Sequence, residues 1–165
     1  MKKFILFSLF MLMSAFSFSS IESSKPNVRL EGGLGYSALT GTTADISIMP
    51  EWRANINPNF DITFGPKINA LAYYEFGTAF YAFGGIAEFE TDFNIKVSNN
   101  TKFYVGLEAG VGVRYDEINR IEENKISPMF IGNLILGGKI NDKINVAGHL
   151  GYGKGLIGLR VGYTF

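Results

Sequence analysis

From about Asn27 to Phe165 the chain is written in a period of two, and that leaves it few folds to choose from. The segment Phe80–Val97 sets Phe83, Ala87, Phe89, Phe93, Ile95 and Val97 against Glu88, Glu90, Asp92, Asn94 and Lys96. Lys102–Tyr115 repeats the pattern, with Phe103, Val105, Leu107, Ala109, Val111, Val113 and Tyr115 facing away from Tyr104, Gly106, Glu108, Gly110, Gly112 and Arg114. Successive side chains of a strand point to opposite faces, so each segment has one apolar face and one polar or small face. The chain is therefore predicted to be all-β.

Six further segments read the same way, at about 27–37, 44–55, 60–73, 127–140, 143–152 and 157–165, which makes eight strands. Pro50 and Pro66 interrupt two of them. A proline cannot donate to the ladder, so each predicts a bulge. Asn57-Pro58-Asn59, Ser98–Thr101 and Asn141-Asp142 are compact turn signals. They alternate with more variable connections, the longest and most charged being Asp116–Ile126. An even number of antiparallel strands joined alternately by tight turns and loops closes into an up-and-down barrel that leaves no free edge.

Composition narrows the class. Charged residues make up only 18% of the chain, against roughly 25% in ordinary soluble domains. Lys and Arg together number 15, matching 15 Asp and Glu, so no basic excess points to nucleic acid. The absence of cysteine excludes a disulfide framework and a lipid-modified N-terminal cysteine. The N-terminus, MKKFILFSLFMLMSAFSFSS, has two lysines, an apolar run and then small residues, the pattern of a secretory signal. The run is shorter than the ~20 residues a membrane span needs. The expected division is a signal peptide at 1–19, a polar lead-in at 20–26 and a barrel at 27–165.

Alternation alone does not say which face looks out, and a soluble barrel would turn its apolar face inward. Three features favour the inverted arrangement. The polar face is rich in glycine, which suits a narrow lumen, and the apolar face carries almost no charge in mid-strand. Its aromatic residues also gather towards the strand ends. Tyr36, Tyr74, Phe83, Tyr115, Phe130 and Tyr152 fall on the loop side, and Trp52, Phe60, Phe103 and Phe165 on the turn side. Two aromatic girdles about an apolar band suit the two interfaces of a bilayer.

With its closing strand, in which Leu159, Val161, Tyr163 and Phe165 alternate up to a terminal aromatic, the chain resembles the small eight-stranded outer-membrane proteins of the OmpA, OmpX and opacity type. The resemblance runs from about Asn27 to Phe165 and rests on strand count, alternation, turns and the closing strand. It implies an eight-stranded transmembrane barrel in the outer membrane of a Gram-negative bacterium, surrounded by lipid and lipopolysaccharide. It further implies delivery by periplasmic chaperones and the barrel-assembly machinery, a monomeric state, no cofactor and a non-enzymatic role in envelope structure or adhesion.

If the polar face is inward, the lumen holds Arg29, Glu31, Asp45, Glu51, Arg53, Asp61, Lys67, Glu88, Glu90, Asp92, Lys96, Glu108, Arg114, Lys139, His149 and Arg160. Eight strands enclose only enough room for their own side chains, and buried charges need partners. The expectation is a plug of paired charges, with a narrow passive pore as the alternative. A barrel enzyme acting on lipid A is the second alternative. His149 is the sole histidine, yet the serine such deacylases place two residues later is replaced by Gly151, and no inward carboxylate flanks it. No catalytic or metal site is expected. Gly153–Gly158 formally matches a dinucleotide glycine motif but lacks the helix and the later acidic residue that the motif requires. The loop residues Asp116, Glu117, Arg120, Glu122, Glu123 and Lys125 are the candidate surface contacts, because loops carry recognition.

Overall fold

The computed structural model describes residues 25–37, 41–76, 80–117 and 125–165. They form eight strands: β1 (Asn27–Ser37), β2 (Gly41–Asn57), β3 (Phe60–Glu75), β4 (Phe80–Ser98), β5 (Thr101–Glu117), β6 (Lys125–Ile140), β7 (Ile144–Tyr152) and β8 (Ile157–Thr164). Each pairs antiparallel with its neighbours in sequence, and β8 pairs with β1 to close the barrel. Leu34 faces Leu159 and Leu30 faces Tyr163 across that seam, and Phe165 N donates to Val28 O at 2.9 Å. The expected leader, 1–19, lies outside the described residues, as does the lead-in apart from Lys25 and Pro26.

The tight connections gather at one end, called here the turn end. Pro58–Asn59 and Asn99–Asn100 are two-residue turns, and Asn59 N donates to Asn57 Oδ1 at 2.9 Å. At Asn141 and Asp142 the backbone is left-handed, with φ of 54° and 55°, a conformation that Asn and Asp tolerate better than most residues. The strand ends at Ser37, Gly41, Glu75, Phe80, Glu117 and Lys125 gather at the opposite end, called here the loop end.

Two expectations about the strands need correction. Neither Pro50 nor Pro66 makes a register slip. The register places them opposite one another, because the pairs Ile48–Ile68 and Trp52–Phe64 flank them symmetrically. Two residues without a donor thus share one gap in the ladder, and the register resumes unshifted. The shifts fall instead at Asn55/Asn57 and Lys96/Ser98, beside the turns. The loop expected at 116–126 is also shorter than its charge suggested, since Asp116 pairs with Lys125 and Tyr115 with Ile126 inside the ladder.

The layering is that of a soluble barrel turned inside out. Leu34, Leu159, Phe103 and Phe130 are exposed on the outer face, Leu159 to 71%. Arg29, Glu90, Asp92 and Asn94 are fully buried inside. The lumen is not wholly polar, however. Leu71, Ile86 and Ile131 form one apolar cluster inside the barrel, with Met129 packed against it. Tyr104, Ile135 and Ala147 form another.

Candidate functional site: the charged lumen

Every second residue of β1, β3, β4, β5 and β8 turns into the lumen, so acids and bases from distant parts of the chain meet there. Arg29 on β1 stands at the centre. Its Nη1 donates to Glu51 Oε2 at 2.9 Å and to Asp92 Oδ2 at 2.8 Å. Its Nη2 bonds Glu90, and its Nε lies 3.3 Å from Glu31 Oε1. Lys67 donates to Glu90 Oε2 at 2.5 Å, to Glu108 Oε2 at 2.6 Å and to Glu31 Oε2 at 3.0 Å. Arg160 reaches both oxygens of Glu90, at 2.8 and 3.0 Å, and Glu108 Oε2 at 3.0 Å. Glu90 therefore receives three cations.

Lys139 extends the cluster towards the turn end. It donates to Thr63 Oγ1 at 2.6 Å and Asp92 Oδ2 at 3.1 Å, and it sits 5.2 Å from the centre of the Tyr104 ring. Neutral groups fill the gaps between charges. Asn145 donates to Glu31, Tyr104 to Asn145 and Asn133 to Glu108, all at 2.7–2.8 Å. A buried ion is costly where its remaining hydrogen-bonding capacity goes unmet, and these groups meet part of it, leaving Glu88 Oε1, Asp92 Oδ1 and Arg160 Nε without a hydrogen-bond partner.

At the turn end a second set closes the barrel. Lys102 donates to Asp61 Oδ2 at 2.7 Å and lies 2.9 Å from Asp142 Oδ1, while Arg53 Nη2 lies 3.1 Å from the same Asp142 oxygen. Partial burial works to raise the Asp142 carboxyl. The hydrogen bond from Lys102 and the charges of Arg53 and Lys102 outweigh it and hold the group below the ordinary carboxylate range. At the loop end Asp45 accepts from Asn69 Nδ2 at 2.8 Å, and Arg114 Nε lies 2.6 Å from Asp116 Oδ1.

One expected lumen residue is elsewhere. Lys96 is exposed, because it lies past the last inward layer of β4, where the register shifts beside the turn. Lys102, opposite it on β5, occupies the inward place. The sequence reading missed Lys102, and it also missed Lys154. Lys102 opens the β5 alternation on the polar parity of Tyr104 and could have been read from it, whereas Lys154 lies in a connection outside any alternation. The apolar lumen clusters were missed too, although the run SPMFIGNLILGG in β6 carries apolar residues on both faces and could have revealed Ile131 and Ile135.

The surface-contact loop needs a correction as well. Asp116 is buried, bound to Arg114 and accepting from Ser127 Oγ at 3.2 Å. Glu117 ends β5 and Lys125 begins β6. Arg120, Glu122 and Glu123 lie outside the described residues.

On the outer face, the loop-end rings of Tyr36, Phe76, Tyr74 and Tyr81 touch in that order, with centroids 6.3, 5.8 and 5.1 Å apart. Phe83, Tyr115, Phe130 and Tyr152 are exposed nearby. Towards the turn end Phe103 is exposed, Trp52 and Phe60 are half-buried, and the Tyr163 and Phe165 rings meet at 4.9 Å.

His149 is buried, with Nε2 3.3 Å from the backbone oxygen of Lys154, a contact that places the proton on Nε2. Among the described residues, no three His, Asp or Glu side chains converge as metal ligands.

The closed eight-stranded antiparallel barrel is the up-and-down architecture expected from the alternation. No family model and no curated protein matches the chain. Among solved structures it is similar to the crystal structure of the N-terminal β-barrel domain of Pseudomonas aeruginosa OprF. The TM-score is 0.46 at 16% identity, over 86% of this chain and 98% of that one.

Proposed function

We propose that this chain is a monomeric, non-enzymatic outer-membrane barrel with a side-chain-plugged lumen, serving envelope structure or surface contact. The observation that carries the reading is the inverted layering. An outer belt of Leu, Val, Ile and aromatic side chains encloses a core of buried ion pairs, and water would penalise that belt. Bilayer acyl chains are the solvent it fits. The ring cluster at Tyr36, Tyr74, Phe76 and Tyr81 suits one interface and Tyr163 with Phe165 the other. Residues 1–19 serve as the export signal in this reading, and the strand ending at Phe165 is what the assembly machinery engages. Lipid and lipopolysaccharide are its immediate neighbours.

The plug follows from the contents of the lumen. Arg29, Lys67 and Arg160 reach across to acids on other strands, and the apolar side chains Leu71, Ile86, Ile131 and Ile135 are buried inside the barrel as well. Among the described residues His149 hydrogen-bonds a backbone carbonyl and no side-chain hydroxyl, which argues against acyl chemistry. Single-channel recording on refolded residues 20–165 in a planar bilayer tests the plug. A silent bilayer is expected, with folding verified by heat-dependent gel mobility. Discrete steps that change when Glu108 or Arg114 is neutralised would make the protein a pore.

A further inference from the structure

The connection between β7 and β8, residues 153–156, does not stand out from the barrel. It folds back into it. Lys154, 3% exposed, donates from its ammonium to Glu88 Oε2 at 2.8 Å and lies 2.9 Å from Glu108 Oε1. The backbone of this strap is seated as firmly. Thr43 Oγ1 donates to the Lys154 carbonyl at 2.6 Å, and Leu156 N donates to Tyr36 O at 2.9 Å. Gly153 and Gly155 on either side take φ of 99° and 97°, a region that side chains disfavour. On the facing strand, a Cβ at Gly35 would overlap the Lys154 carbonyl. Local sequence and barrel wall are thus shaped together to deliver one ammonium into the lumen from a loop.

What the ammonium fills is a socket with acceptors to spare. Without Lys154, the central cluster sets Arg29, Lys67, Lys139 and Arg160 against six carboxylates, Glu31, Glu51, Glu88, Glu90, Asp92 and Glu108. Glu88 has no other close cation among the described residues, its next being Lys67 at 3.9 Å. Its second oxygen, Oε1, is buried and accepts no hydrogen bond, and Asn133 Oδ1 beside Glu108 is unpartnered too. Removing Lys154 would leave Glu88 buried beside Glu108 with Lys67, 3.9 Å away, as its nearest cation, so a proton or another cation would have to replace the ammonium. No three ligating side chains converge there, so the socket suits a hydrogen-bonding ammonium better than a dehydrated metal ion. Above the strap lies a cavity of about 500 Å³ at the loop end, lined in part by Gly153, Gly155 and Leu156.

We infer that the 153–156 strap closes the lumen by seating Lys154 in a cation socket of Glu88 and Glu108, and that where Lys154 is absent a small primary ammonium ion from the loop end can fill that socket instead. The inference concerns closure of the lumen and stands whether or not the exterior contacts lipid.

The chain has no cysteine, so a single reporter reads access cleanly. Ser47→Cys places it on β2, buried opposite Glu31. A small cationic methanethiosulfonate reagent should label this cysteine slowly in the refolded parent. Adding Lys154→Ala should raise the rate by about tenfold or more, as expected when a local closure is lost. Gly35→Ala should do the same by blocking the seat while keeping the lysine, and Lys154→Arg should stay slow. Methylammonium should slow labelling of the Lys154→Ala protein again, whereas tetramethylammonium, which has no N–H, should not. Equal labelling in the parent, Lys154→Ala and Gly35→Ala proteins would overturn the closure. Equal protection by the two ammonium ions would overturn the socket. If Lys154→Ala folds only with methylammonium present, by gel mobility, the socket stands. If it folds with neither ion and Gly35→Ala labels no faster than the parent, the inference falls.

Discussion

Glu90 is the residue whose surroundings say most about the lumen. It is fully buried and takes charge from Arg29, Lys67 and Arg160 at once. Glu90→Gln keeps the shape and removes the charge, leaving three cations short of a partner. Breaking a buried ion set in this way costs about 3–5 kcal/mol. Urea unfolding in lipid vesicles should show a loss of that order. A loss under ~1 kcal/mol, the range of solvated surface pairs, would mean that water fills the lumen. Asp142 offers a pH readout at the turn end. Its folded-state pKa lies below its unfolded value, so its contribution is complete above the unfolded pKa and disappears as pH falls through the folded one. The unfolding midpoint should therefore fall on acidification from pH ~5 to ~2, and Asp142→Asn should flatten that part of the curve. An unchanged slope would mean that the Lys102 and Arg53 contacts do not form in solution. At this scale the inward identity of Arg29, Glu90 and Asp92 was legible from alternation. Lys96 misled because alternation does not say where a barrel ends.

At the scale of the strand, the outer face makes the sharpest forecast. Ala109 lies in the row Phe89–Ala109–Gly132, midway along β4, β5 and β6, and faces outward. Tyr115 is exposed on the same outer face of β5, close to its loop end. If the belt is solvated by acyl chains, Ala109→Arg should cost about 2–4 kcal/mol and Tyr115→Arg about 0–1 kcal/mol in vesicle unfolding. Equal costs at the two depths would remove the membrane reading. Strand existence was plain in the sequence, because a period of two is a local property, whereas β2 and β5 run further than the alternation suggested. The effect of Pro50 and Pro66 was not. Each proline alone suggests a bulge, and only the β2–β3 register reveals that they face each other and that the ladder closes again without a slip.

For the whole molecule, the sequence by itself determined the number of strands, the alternation of turns and loops, and the chemical contrast between the two faces. These depend on neighbours one or two residues apart, where the pleat leaves side chains no choice of side. The tertiary structure alone decided which charges meet. Arg29 bonds Asp92, 63 positions away, and Lys154 reaches Glu88, 66 positions away, because closure and strand tilt bring those layers to one height. It also gathered Leu71, Ile86 and Ile131 into an apolar cluster inside the barrel and folded a loop lysine into the lumen. Contacts across a barrel depend on every register around the ring at once, and no single segment of the chain carries that information.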